Sequence, residues 1–272
     1  MTPVVITVDS PVDTKNPFPP DLRQGRPEGS TLAYHGTGKT SLDAILSNGF
    51  AARKDEELQS DIEQVFHASD EFEFGGVNRS GPGIPAVECL HSEFLHNDGL
   101  SRPFFSGSYV HARFYALYPG GEAVVGMLNF LGDFGRLASD MGFRDSHIRF
   151  LKGQLNRLDR ASPEWRKLNG AIVRLGQHHL QDAWLGLNQI YNRYRERAEG
   201  EHVPVVVAVW APPDTFLRPA RFIGVNEAAV RPIPPSQILG VAILPAGSKP
   251  SLKADDEDWL AFLEEIGAKQ DG

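Results

Sequence analysis

Residues 31–50 read Thr31-Leu32-Ala33-Tyr34-His35-Gly36-Thr37-Gly38-Lys39-Thr40-Ser41-Leu42-Asp43-Ala44-Ile45-Leu46-Ser47-Asn48-Gly49-Phe50. Leu32-Ala33-Tyr34-His35 has the composition of a short strand, and Gly36-Thr37-Gly38 that of a turn. Ser41 is a helix-capping residue type, and Leu42, Ile45 and Leu46 follow at helical spacing. Asn48-Gly49 closes the helix, with Gly49 suited to a left-handed cap. Outward from this stretch, strand candidates fall at residues 4–8 (an edge strand), Phe104-Phe105-Ser106, and residues 123–131, 203–210, 222–230 and 238–244. The run 203–210 is β-branched, ends at Pro212-Pro213 and reads as a buried strand. Helical spacing follows Ser106 (Val110, Phe114, Leu117) and dominates residues 164–199. There Val173, Leu180, Leu187 and Tyr194 recur every seven residues, with Trp184 and Tyr191 in the same stripe. A last helix carries Trp259, Phe262, Leu263 and Ile266, with Asp255, Asp256, Glu257 and Asp258 at its positive end. Residues 53–100 are mixed, with glycine-rich loops at Gly75-Gly76 and residues 80–83. Strands that do not alternate regularly with helices predict an α+β fold rather than a doubly wound one. The expected organisation is an N-terminal strand and irregular lead-in over residues 1–30, one domain over 31–247 with a helical insertion at about 135–200, and a C-terminal helix over 248–272.

The 272 residues suffice for one large domain or two small ones, and hydrophobic residues at 41% are ordinary for a globular chain. The single cysteine, Cys89, excludes an intrachain disulfide and a cysteine-cluster metal site, which fits a reducing, cytoplasmic setting. No apolar run reaches the length of a membrane span, and the N-terminus lacks the basic start of a secretion signal. A net charge of -8 argues against a general nucleic-acid binder. The charge is uneven, however: residues 136–200 hold 12 Lys/Arg against 7 Asp/Glu. That segment is either a polyanion contact or a solvated helical face.

Three constellations carry chemistry. Tyr34-His35-Gly36-Thr37 combines an imidazole with backbone that a ligand can approach closely, or else is a core histidine before a turn. Phe104-Phe105-Ser106, with Ala112 and Tyr115 on the following helix, forms either a slot for a planar ring or plain core packing. Asn226-Glu227-Ala228-Ala229-Val230 holds a carboxylate in an apolar, strand-like stretch, which is costly to bury without a partner unless it faces solvent.

Taken together and in this order, the three resemble the motifs of the NAD-dependent ADP-ribosyltransferases, in the His-Tyr-Glu branch of diphtheria toxin and the poly(ADP-ribose) polymerases. Tyr34-His35-Gly36-Thr37 with Ile45-Leu46-Ser47-Asn48-Gly49-Phe50 is similar to the first block. Phe104-Phe105-Ser106 through Ala112-Arg113-Phe114-Tyr115-Ala116 is similar to the second, and Asn226-Glu227 with Gln237-Ile238 to the third. The resemblance implies two packed, mostly antiparallel sheets around an NAD cleft. It implies that His35 holds the adenosine-side ribose, that the Gly36 backbone binds the nicotinamide amide beside Thr37, and that Phe104, Phe105, Ser106, Ala112 and Tyr115 line the nicotinamide slot. Glu227 would bond the nicotinamide-ribose 2'-hydroxyl and stabilise charge developing at the ribose. His35, Phe104 and Glu227 are thus the expected catalytic set, and NAD the co-substrate. The acceptor would be a macromolecule, protein or nucleic acid. A compact enzyme of this kind is by analogy a toxin or effector, with an antitoxin or immunity protein as its partner.

The chain departs from the family in three places. Phe104 stands where a tyrosine is usual, Ala112 where some members carry a carboxamide-bonding serine, and Val225 where the arginine-modifying branch carries glutamate. The last makes arginine a poor acceptor. Two rival functions stand beside this one. Ala33 to Thr40 fits a loose phosphate-binding loop, with Lys39 on phosphates and Thr40 on magnesium, as in a nucleotide triphosphatase. The strand before it is too short, and no acidic strand end is obvious. Tyr191-Asn192-Arg193-Tyr194-Arg195-Glu196-Arg197 interleaves aromatics and arginines, as in a nucleic-acid-binding module, and also fits an amphipathic helix. No metal is assigned, because His91 and His96 are five residues apart and His178-His179 point apart.

Overall fold

The computed structural model describes residues 2–9, 16–19, 22, 27–75, 91, 100–176, 179–216 and 227–248. The fold is α+β. Its main sheet has the order β1-β8-β6-β2, built from β1 (Val4–Thr7), β2 (Thr31–Gly38), β6 (Pro204–Ala211) and β8 (Ile238–Ile243). β6 is the hub because every one of its residues is buried. Val206, Ala208 and Trp210 face one core and Val205, Val207, Val209 and Ala211 the other, so an uninterrupted apolar run is what a central strand requires. β6 pairs antiparallel with β2 and β8, whereas β1 runs parallel to β8 at the far edge, making the sheet mixed. Among the described residues the remaining strands form two short ribbons, not a second full sheet. One pairs β3 (Arg53–Lys54) with β4 (Leu100–Ser101), the other β5 (Phe104–Phe105) with β7 (Glu227–Ala228).

Helices cover both sides of the site. α1 (Leu42–Asn48) follows β2 after a single 3-10 turn, and α3 (Tyr109–Ala116) follows β5 with Ser108 as its N-cap, Oγ accepting from the His111 amide. Five longer helices build a separate core: α2 (Glu56–Glu71), α4 (Glu122–Ser139), α5 (Met141–Leu155), α6 (Pro163–Leu175) and α7 (His179–Glu199).

Several expectations change. Gly36–Gly38 is not a turn but the end of β2, because pairing with Pro204–Val206 outweighs the weak strand propensity of glycine. Residues 123–131, expected as a strand, lie in α4; Val124, Met127, Leu131, Phe134 and Ala138 recur at helical spacing and are buried. The helical region therefore starts at Glu122, and α2 belongs to the same core. Val173 is 48% exposed, since the chain breaks between α6 and α7 and the seven-residue stripe runs only through Leu180, Leu187 and Tyr194. Ser41 precedes α1 without a side-chain cap bond. Gly49 has φ 73° with extended ψ, and a Cβ there would sit 2.1 Å from the Ile233 carbonyl. Residues 76–90, 222–226 and 249–272, which include the second glycine-rich loop and the expected C-terminal helix, lie outside the described residues.

Candidate active site

β2 has two different faces, and both serve one cavity. Tyr34 and Gly36 project toward α3, while His35 projects into the opposite core against Phe50 and Phe105, with ring centroids 4.9 and 5.3 Å away. Gly36 is where α3 presses closest. A Cβ there would lie 2.0 Å from the Ala112 carbonyl oxygen and 2.6 Å from the Ala116 nitrogen. The missing side chain admits this helix, and Gly36 also lines the cavity.

The edge of β2 supplies the polar part. Tyr34 and Ser106 exchange both backbone hydrogen bonds, N to O at 2.8 and 2.9 Å, so the N–H and C=O of Tyr34 point outward from the sheet. Strand alternation points those of Gly36 the same way. His35 Nδ1 lies 2.7 Å from the Phe104 carbonyl oxygen. A carbonyl only accepts, so Nδ1 carries the proton and Nε2 of the neutral ring is left as an acceptor. Burial pushes the His35 pKa below its usual value, partly opposed by the Phe104 carbonyl, which keeps the ring neutral at pH 7.

The cavity measures about 550 Å³, within the range of small-molecule sites. Its lining includes His35, Gly36, Thr37, Phe104, Ser106, Ala112 and Tyr115. Phe104 and Tyr115 are each half-buried, presenting ring surface to it. Phe105 does not line it: the ring is completely buried between Phe50 and Phe216, at 5.0 and 5.8 Å, and its role is packing. Glu227 enters through its backbone, which pairs with Phe105 across the β5–β7 ribbon. Asn226 lies outside the described residues.

Sequence reasoning missed three groups here. His111 is buried behind the slot, with Nδ1 3.1 Å from Ser106 Oγ and its ring 4.6 Å from Tyr115; burial pulls its pKa down to about 4. Ser106 Oγ also accepts from the Ser108 amide at 3.1 Å. Arg53 and Arg102 line the cavity because β3 pairs with β4, setting Arg53 opposite Ser101. They are 49 residues apart in sequence, and no local pattern links them. Gly120 and Gly121, at the start of α4, line it as well.

The stretch that fits a phosphate-binding loop is extended strand through Gly38, registered residue by residue to β6. Its amides alternate between the two edges of an extended strand and do not converge on one point as such a loop requires. The arginine–tyrosine segment on α7 is engaged internally. Arg193 bonds Glu57 and Asp61 of α2, Arg197 bonds Glu57, and the Tyr194 hydroxyl donates to Asp61 at 2.8 Å. No protein-family model, curated protein or solved structure matches the chain. No helix among the described residues is long and apolar enough to cross a membrane.

Proposed function

We propose that this chain is an NAD-dependent ADP-ribosyltransferase of the His-Tyr-Glu kind, with that family's fold around the cavity and a macromolecular acceptor, protein or nucleic acid. One observation carries the reading. Three segments far apart in sequence are tied at one place: Tyr34 to Ser106 by backbone bonds, the His35 ring to the Phe104 carbonyl, and Phe105 to Glu227 by strand pairing.

The chemistry fits the groups present. A nicotinamide carboxamide offers one donor and one acceptor in a plane, and the outward N–H and C=O of Gly36 are their complement. Phe104 and Tyr115 supply faces for the cationic ring, with stacking and cation–π attraction of roughly 0.5–2 kcal/mol. His35 Nε2 accepts from a ribose hydroxyl. In the reaction the bond between ribose C1' and the ring nitrogen breaks, and both electrons leave with nicotinamide. Positive charge grows on the ribose, and the Glu227 carboxylate, bonded to the 2'-hydroxyl, stabilises it. The acceptor nucleophile then bonds C1' and gives up its proton.

The test is nicotinamide release from NAD by wild type and Glu227→Gln. The variant keeps the size and loses the charge, so the rate should fall by about a hundredfold or more. Equal turnover would remove Glu227 from the mechanism.

A further inference from the structure

Arg53 and Arg102 have no part in the chemistry above, yet both line its cavity. Neither makes an ion pair among the described residues, and the Arg102 Nε is buried without a hydrogen-bond partner. A buried guanidinium N–H left in this state, as at Arg102, is costly unless an acceptor completes it. Among the described side chains lining the cavity there is no aspartate or glutamate, and the two arginines are its only lysine or arginine side chains. The first turn of α4 adds to the same potential: Gly121 has φ 89° and the helix begins without a side-chain cap. Short stretches of chain join both arginines to groups that touch His35. Arg102 is two residues from Phe104, whose carbonyl bonds His35, and Arg53 is three residues from Phe50, whose ring touches it.

We infer that Arg53 and Arg102 form the phosphate-binding part of this cavity, and that they take a phosphoanhydride ligand beside His35. This rests on the proposed function only in naming NAD as the molecule that carries the phosphoanhydride. The planar, bidentate guanidinium is the side chain best matched to phosphate oxygens, and the β3–β4 pairing sets the Arg53 backbone opposite Ser101, the residue before Arg102.

Direct binding separates this from the transferase reading. Inorganic pyrophosphate and ADP-ribose are titrated by calorimetry or NMR into wild type, Arg53→Ala, Arg102→Ala and Arg102→Gln, with each variant's melting temperature recorded. Expected are binding of both probes to wild type, weakening as salt rises, and a loss of about tenfold or more in affinity for each arginine removed. Arg53 is exposed, so its variant tests the idea even should the Arg102 variants fail to fold. Pyrophosphate binding lost with either arginine supports the site even where no NAD is ever cleaved, and that result would sink the transferase reading alone. Wild type that ignores both probes, or folded variants that bind them as wild type does, overturns the inference.

Discussion

Gly36→Ala should be among the most damaging single-methyl additions in this protein, and the structure gives its size. The new Cβ would lie 2.0 Å from a backbone oxygen of α3, where ordinary contact begins at 3.4 Å, so the strand and helix must part by about 1.4 Å. No side chain can swing aside, because both close atoms, Ala112 O and Ala116 N, are main chain within a regular helix. Overpacking of this kind costs about 1–3 kcal/mol, and the rigidity of both partners places it at the upper end. At about 2–4 °C per kcal/mol for a chain of this size, the melting temperature should drop by roughly 6–12 °C. Gly186→Ala is the internal control: it adds the same methyl in the interior of α7, where nothing lies within 4 Å. There the gain in helix propensity should stabilise by about 0.5–1 kcal/mol. Calorimetric melting of the three proteins under one set of conditions is the assay. Because α3 also carries Ala112 and Tyr115, the Gly36 variant should lose cavity ligand binding even at temperatures where it is folded. A melting temperature within a degree or two of wild type would refute the close approach of α3 to β2.

Two further outcomes follow from buried polar groups. His111 has a folded-state pKa of about 4, well below its unfolded value near 6.5; the unfolded chain therefore binds the proton first. Its penalty is absent above about pH 6.5, grows as pH falls, and levels off below about pH 4 at roughly 3 kcal/mol. Denaturation midpoints of wild type against His111→Gln should diverge in that window, and parallel acid sensitivity of the two would contradict it. Tyr194→Phe removes the hydroxyl that donates to the buried Asp61 carboxylate and should cost about 1–3 kcal/mol in urea unfolding. No loss would mean that the carboxylate finds water instead.

What could be read from the chain, and what could not, divides by physical cause. β6 and β8 were legible because a central strand is apolar on both faces and therefore reads as an unbroken run. α3 was legible from its spacing, whereas its Ser108 cap appears only in the fold. The three segments of the candidate site stand far apart in the chain, and only folding brings Tyr34 beside Ser106 and Phe105 beside Glu227. β2 was cut short because glycine carries a turn signal whatever its neighbours do. Here the Pro204–Val206 segment of β6 supplies the pairing that the local sequence does not advertise. Residues 123–131 of α4 read locally as a strand because, apart from Asn129, they form an apolar run of strand length. Only the continuation through Phe134, Leu137 and Ala138 reveals its period.

The charge pattern was the least legible feature, and for a different reason. A basic excess over residues 136–200 is a statement about sequence, whereas the field that a partner meets depends on what packs against those residues. α2 packs there, and it brings Glu57, Asp61, Asp70 and Glu71 against Arg193, Arg197, Lys167 and Arg174, with Glu73 just beyond its end on Lys167. Asp61 in particular is buried, and burial raises its pKa even though Tyr194 and Arg193 pull it down. Opening that cluster to a phosphate backbone would expose a carboxylate that the tyrosine and arginine now satisfy, and would place a second polyanion beside it. Arg193 and Arg197 are therefore fasteners between two helices, while Arg195 pairs with Glu199 within α7. The cationic groups still facing a site are Arg53 and Arg102, which composition alone did not single out.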